Sequence, residues 1–202
     1  DQDGSTATYV TVASGTFDVY GRPVTAADPL GRTTSTVYTE TDGLTTRKVE
    51  TSPDITVGTT PTKFKATTEF APAWGQPTAQ VDWNGKRTDL AYDKLGRLVG
   101  VWTPDLPKSI TPDPSVRYSY LLDGVHPTAV KTEKVTNTGA YVAEYQIFDG
   151  FLRPRQTQAP GPDGGRLVAD TFYTPTGQLP KANDPYFAAG APSGELLPVV
   201  NG

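Results

Sequence analysis

One short phrase recurs along this chain. It reads Tyr92-Asp93-Lys94-Leu95-Gly96-Arg97-Leu98, with looser copies at Phe17-Asp18-Val19-Tyr20-Gly21-Arg22-Pro23 and Phe148-Asp149-Gly150-Phe151-Leu152-Arg153-Pro154. Recurrence within one chain implies a repetitive architecture, and it favours a wall, stalk or binding surface over a single enzymatic pocket. The phrase also has a mechanical reading. Asp93 stands at the first position of a turn, where its carboxylate accepts a hydrogen bond from the backbone two residues on. Gly96 stands at the fourth, where a type I turn followed by a left-handed residue makes a three-residue hairpin loop. Glycine takes positive φ there without a Cβ penalty. The same grammar appears at Asp18…Gly21-Arg22, Asp28-Pro29-Leu30-Gly31-Arg32, Asp82-Trp83-Asn84-Gly85-Lys86 and Thr174-Pro175-Thr176-Gly177-Gln178. Turn starts at 18 and 28 are ten residues apart and those at 82 and 93 eleven, which leaves strands of about six to seven residues.

Consecutive hairpins at this spacing make an antiparallel meander. Fourteen strands are expected: Tyr9–Val12, Pro23–Ala27, Thr33–Tyr38, Leu44–Thr51, Thr62–Phe70, Thr78–Asp82, Thr88–Tyr92, Leu98–Thr103, Val116–Leu121, Thr128–Asn137, Tyr141–Phe148, Arg155–Ala159, Arg166–Tyr173 and Leu179–Ala182. Over 141–148 one row is mostly polar (Val142, Glu144, Gln146, Phe148) and the other apolar (Tyr141, Ala143, Tyr145, Ile147), so one face is buried and one wet. Two stretches break the rhythm. Residues 103–115 hold four prolines and form an ordered excursion. Residues 184–202 lack alternation and read as a bend or linker. The whole of 1–202 is taken as one β-sheet segment.

Composition agrees. Hydrophobic content is 36%, low for a two-layer globule, while 20 glycines and 19 prolines punctuate turns between Thr-, Val- and Tyr-rich strands. The class is therefore all-β. Net charge is −4 with the signs interspersed, and the lack of a basic stripe argues against nucleic acid as a partner. No apolar run approaches the roughly 18 residues that span a bilayer. Cysteine and methionine are absent, which excludes disulfides and thiol chemistry and suits life outside the cell.

Residues with chemical potential have simpler roles in this pattern. His126 is the single histidine and reads as a loop residue. The carboxylates are spread through turns, with no pair marked for glycoside hydrolysis. Asp1-Gln2-Asp3-Gly4 lacks the further ligands of a calcium loop and reads as a frayed terminus. Trp74, Trp83 and Trp102 read as packing, with sugar stacking as the other role for exposed rings. Arg22, Arg32, Arg97 and Arg153 follow their turns and are expected to pair with the turn aspartate or with a neighbouring repeat, in preference to a ligand. No catalytic residue, cofactor or metal is expected. The residues expected to matter are those of the turns: Asp18, Gly21, Arg22, Asp28, Gly31, Arg32, Asp82, Gly85, Tyr92, Asp93, Gly96, Arg97, Asp149, Arg153 and Gly177.

Tyr-Asp-x-x-Gly-Arg-Leu resembles the signature of the RHS/YD-repeat proteins, which include bacterial RHS polymorphic toxins, insecticidal toxin-complex B and C subunits and the teneurin cell-surface proteins. The ordered set Phe148 to Arg155, Gly164-Gly165-Arg166-Leu167-Val168, Phe172-Tyr173 and Asn183 to Ala188 is similar to repeat blocks of large secreted members, and the resemblance covers about residues 15–195. It implies a long antiparallel sheet that spirals into a hollow shell around a C-terminal toxin segment. This chain would then be a curved, non-enzymatic portion of the wall, extracellular or at the cell surface. Its partners would be the rest of its shell and the enclosed toxin. The chain opens and closes in mid-pattern and is expected to be a fragment of a longer protein. An adhesin or carbohydrate-binding module in the teneurin manner is the alternative, with a surface glycan or protein as partner. Three departures stand out. Leu152 replaces the glycine of the phrase, Phe70-Ala71-Pro72-Ala73-Trp74-Gly75-Gln76 carries an extra residue and no aspartate, and Asp28-Pro29-Leu30-Gly31 is similar to the family's cleavage phrase but reads as an ordinary turn.

Overall fold

The computed structural model describes residues 11–174, 176–177 and 181–199. The fold is all-β. Its strands are β1 (Ser14–Phe17), β2 (Pro23–Ala27), β3 (Thr33–Thr41), β4 (Leu44–Thr51), β5 (Ile55–Val57), β6 (Thr60–Thr62), β7 (Lys65–Phe70), β8 (Pro77–Val81), β9 (Arg87–Tyr92), β10 (Leu98–Trp102), β11 (Val116–Leu121), β12 (Ala129–Val135), β13 (Tyr141–Phe148), β14 (Pro154–Pro160), β15 (Arg166–Phe172), β16 (Lys181–Ala182) and β17 (Tyr186–Ala188). One 3-10 turn, Pro162–Gly164, links β14 to β15. Fifteen strands form an open antiparallel sheet, ordered β1-β2-β3-β4-β7-β8 and onward to β16, with β17 also pairing β15; β5 and β6 pair only with each other. The chain gathers into two compact units, 1–89 and 90–202, whose boundary falls within β9.

In the first unit the strands alternate weakly and stay wet. β3 runs exposed, half-buried, exposed along most of its length, and Val37 remains 62% exposed. Among the described residues of this unit only Ser52 and Ala79 are buried. Asp42 and Gly43, both at positive φ, make the two-residue turn between β3 and β4 that Asp-Gly favours. The expected strand 62–70 is interrupted. The β5–β6 hairpin projects here, its base closed where Ser52 N–H donates to the Phe64 carbonyl and Phe64 N–H to Ser52 Oγ. The degenerate phrase at 70–76 closes differently from the others. Trp74 and Gly75 N–H both donate to the Ala71 carbonyl, and Gly75 takes φ 65°, so the extra residue is absorbed in a wider turn.

The second unit has a core. Two cross-strand rows share one face, because directly opposed residues in an antiparallel ladder point the same way. One row runs Leu121, Ala129, Ile147, Gln156, Asp170, and the other Ser119, Lys131, Tyr145, Gln158, Val168, Tyr186. Ala129, Ile147, Gln156, Gln158, Val168 and Asp170 are all buried. β13 alternates as its sequence implies up to Ile147, after which a bulge shifts the register at Phe148. β12 ends at Val135, two residues before the expected Asn137, because 136–139 is another turn: Gly139 takes φ 83° and Thr136 N–H donates to the Ala140 carbonyl. The proline-rich excursion is closed at its neck, where Thr103 N–H donates to Ser115 Oγ at 3.0 Å.

Two expectations are corrected, and a third falls partly outside the described residues. The first described strand is Ser14–Phe17; Val12 is exposed coil, and Tyr9 and Val10 lie outside the described residues. In the last expected strand Leu179 and Pro180 also lie outside them, leaving Lys181–Ala182. Residues 184–199 do not form a linker. Tyr186–Ala188 adds to the sheet beside β15, and 189–197 fold back over the two rows as a strap. Asp1-Gln2-Asp3-Gly4, Pro175 and Gln178 lie outside the described residues.

Candidate functional site

The recurring turn is one hydrogen-bonded object built four times. In the copy at Asp93, the Asp93 N–H donates to the Arg97 carbonyl and the Gly96 N–H to the Asp93 carbonyl, at 2.9 and 3.0 Å. Asp93 Oδ1 accepts the Leu95 and Arg97 N–H groups, both at 2.9 Å, and Oδ2 accepts Arg97 Nε–H at 2.7 Å. Asp18 with Arg22, Asp28 with Arg32 and Asp149 with Arg153 repeat every one of these bonds. One carboxylate thus satisfies two loop donors and fixes the arginine that opens the next strand.

Electrostatics follow from these bonds. The Arg97 backbone N–H holds the Asp93 carboxyl below the ordinary carboxylate value, against partial burial. The guanidinium hydrogen bonds of Arg32 and Arg153 do the same for Asp28 and Asp149. At Asp18 burial pushes upward, and the Arg22 hydrogen bonds outweigh it. Burial raises the Tyr92 phenol, which closes β9 just ahead of Asp93. Carboxylates held ionised, with both oxygens engaged, brace a turn and are poorly suited to general acid catalysis.

The clasped arginines also meet aromatic rings of neighbouring strands. Arg22 lies 4.8 Å from the Tyr20 ring and 4.4 Å from Tyr38, and it bridges to Glu40 at 2.6 Å. Arg97 lies 4.4 Å from Tyr120, whose hydroxyl donates to the Leu98 carbonyl. Arg153 lies 5.0 Å from Phe151 and 4.3 Å from Tyr173. These three clasps therefore tie their own turns to chain beyond them. Arg32 is the open copy, its side chain 63% exposed.

Two turns keep the frame with other side chains. Asp82 Oδ1 accepts the Asn84 and Lys86 N–H groups, and Gly85 sits at φ 75°, with lysine in the arginine's place. At 174–177 the Gly177 N–H donates to the Thr174 carbonyl and Gly177 takes φ 84°. Gly21, Gly31 and Gly96 are likewise at positive φ. Leu152 adopts φ 59° in the glycine's position and keeps the skeleton intact.

The remaining candidates stand apart from the clasps. His126 Nδ1 is 2.6 Å from Asp123 Oδ2 in an exposed turn; that hydrogen bond raises the imidazole, and the His126 backbone N–H lowers the Asp123 carboxyl. Trp102 is buried, with Lys108 Nζ 4.7 Å from its ring centre, whereas Trp74 and Trp83 are 56% and 41% exposed. Among the described residues no group of three or more His, Cys, Asp or Glu could hold a metal, and no helix is long and apolar enough to cross a membrane.

A second constellation escaped the sequence reading. Asp170 is 1% exposed and accepts Arg155 Nη1 at 2.7 Å, Gln156 Nε2 at 2.9 Å and the Tyr186 hydroxyl at 2.9 Å. Burial raises the Tyr186 phenol, and its bond to Asp170 adds to that. Gln158 Nε2 donates to Gln156 Oε1 and Arg166 Nη1 to Gln158 Oε1, both at 2.9 Å. The signal was present: Gln156 and Gln158, two apart on one strand, share the face of Ile147 and Val168, so polar side chains occupy core positions. No protein-family model matches the chain, and no curated protein matches it.

Proposed function

We propose that this chain is a wall segment of a secreted RHS/YD-repeat shell, one that encapsulates a C-terminal toxin segment and works by containment. The observation that carries this reading is the same aspartate–arginine clasp repeated four times along an open antiparallel meander. Such a device stiffens hairpins and tethers each to its neighbours, which is what a thin wall requires. On this reading the partners are the rest of the shell and its cargo, the location is extracellular or at the cell surface, and the segment has no catalysis of its own. Limited proteolysis of the intact parent protein, with mass mapping of its C-terminal segment, tests it. The segment should survive in the parent and be digested when expressed alone; immediate cutting in the parent would sink the containment reading.

An adhesin or carbohydrate-binding role is the second reading, favoured by the exposed indoles of Trp74 and Trp83. It requires measurable glycan affinity that falls when both are replaced by alanine.

A further inference from the structure

The strap over the second unit is held chiefly through its main chain. Leu197 N–H donates to Gln156 Oε1 at 3.0 Å, while Gln156 Nε2 donates to the Leu197 carbonyl at 3.2 Å. Ser193 N–H donates to Gln158 Oε1 at 2.9 Å, and Gln158 Nε2 to the Glu195 carbonyl at 2.7 Å. Arg166 adds Nη2 to the Ala189 carbonyl at 3.3 Å and Nη1 to Ser193 Oγ at 3.1 Å. Two buried amides thus exchange four main-chain hydrogen bonds with a strap that bends at Gly194 and Glu195. Their orientation is chemically fixed. Asp170 Oδ1 takes Arg155 Nη1 as well as Gln156 Nε2, so Gln156 presents its NH2 there and its oxygen to Gln158 and Leu197.

The strap's side chains contribute less. Glu195 is 62% exposed at its side chain, with Oε1 3.8 Å from His126 Nε2, and Leu196 is 41% exposed. Gly194 is the point of closest approach: a Cβ built there would lie 2.8 Å from Leu121 Cδ2.

We infer that Gln156, Gln158 and Arg166 form a main-chain-reading surface for a polypeptide segment bent at its second and third residues, and that Ser193–Leu197 is its resident occupant. The surface requires N–H donors four residues apart. It is tolerant of the side chains at the third and fourth positions, a chemistry suited to unfolded polypeptide. The inference stands on these bonds and holds whether or not the chain belongs to a shell.

The test uses the full 202-residue chain. A Ser193→Pro, Leu197→Pro double variant removes both strap donors and should bind a labelled peptide with the sequence of residues 191–199. Wild type, already occupied, should bind it at least about tenfold more weakly. Changing the peptide's glutamate and first leucine to lysine and alanine should alter affinity less than about threefold, whereas N-methylation of its second leucine should weaken binding at least about tenfold. No capture by the folded variant, or loss of capture on the side-chain changes, overturns the inference. Hydrogen exchange decides if that variant fails to fold. Glu195→Ala, Leu196→Ala should keep the Ser193 and Leu197 amides protected, and Gln158→Leu should expose Ser193. Equal exposure in both would mean that side chains hold the strap.

Discussion

Leu152 sits at φ 59° where Gly21, Gly31 and Gly96 sit near 75° in the equivalent turns, and an L-residue with a Cβ is strained there by about 1–2 kcal/mol. Its side chain recovers little, being 68% exposed. Leu152→Gly is therefore expected to stabilise the protein, raising Tm by about 2–4 °C; an unchanged or lower Tm would show that the leucine packs usefully in solution. Gly96→Val is the converse. A β-branched residue at φ 75° is a steric outlier, and a loss of more than about 1 kcal/mol in urea titration is expected, against about 0.5 kcal/mol for ordinary surface changes. The clasp aspartates set an acid limit. Asp18, Asp28, Asp93 and Asp149 all have folded-state values below the ordinary one, so the folded state binds fewer protons than the unfolded chain as pH drops. Their contribution is complete above the unfolded value of about 3.9 and is lost as pH falls through the lower folded values. Tm should therefore hold from neutrality to about pH 5 and fall below pH 4. Asp93→Asn should flatten that fall, and an unaltered slope would remove Asp93 from the cause.

The neck of the proline-rich excursion is the element whose failure is easiest to isolate. Ser115 is 6% exposed, and its Oγ takes the Thr103 N–H at 3.0 Å and meets Thr103 Oγ1 at 2.9 Å. Ser115→Ala leaves that donor unsatisfied at a cost of about 1–3 kcal/mol. Cleavage within 104–114 should accelerate while β12–β13 stays protected, and an unchanged cleavage rate would mean that other turns hold the loop. Elements differed in how readable they were. The clasp turns announce themselves because aspartate, glycine and arginine act within five consecutive residues. The hairpin at 55–62 was hidden, since its strands of three residues are too short to show alternation and only Gly58, at φ 64°, marks the reversal. The turn at 136–139 was missed because it has neither the aspartate of the phrase nor the proline that marks the threonine turn at 174. The strap was illegible for a different reason. Its main-chain bonds reach partners 35 to 41 positions away, and it shows no alternation of its own because side chains of β14, rather than another strand, satisfy its backbone.

At the scale of the whole chain, burial is uneven in a way that should govern how it opens. The second unit fully buries Ile147 and Val168 and seals Gln156, Gln158 and Asp170 beneath the strap. Each of the two aliphatic side chains contributes about 1.5–3 kcal/mol by burial. Asp170 and Arg155, paired at 2.7 Å with the carboxylate fully covered, resist separation, because losing one partner strands a buried charge at a cost of about 3–5 kcal/mol. In the first unit only Ser52 and Ala79 are buried among the described residues, so its ladder hydrogen bonds stand close to water with few apolar contacts to hold them shut. Local opening follows contact and burial rather than hydrogen-bond number. Native-state hydrogen exchange should therefore show amides of β2–β4 opening at a free energy at least about 2 kcal/mol below those of β13–β15. Asp170→Ala should narrow that gap by lowering the protection of β13–β15 while leaving β2–β4 where they were. A single opening free energy across both units would mean that the chain unfolds as one cooperative body and that the buried network does not set the order.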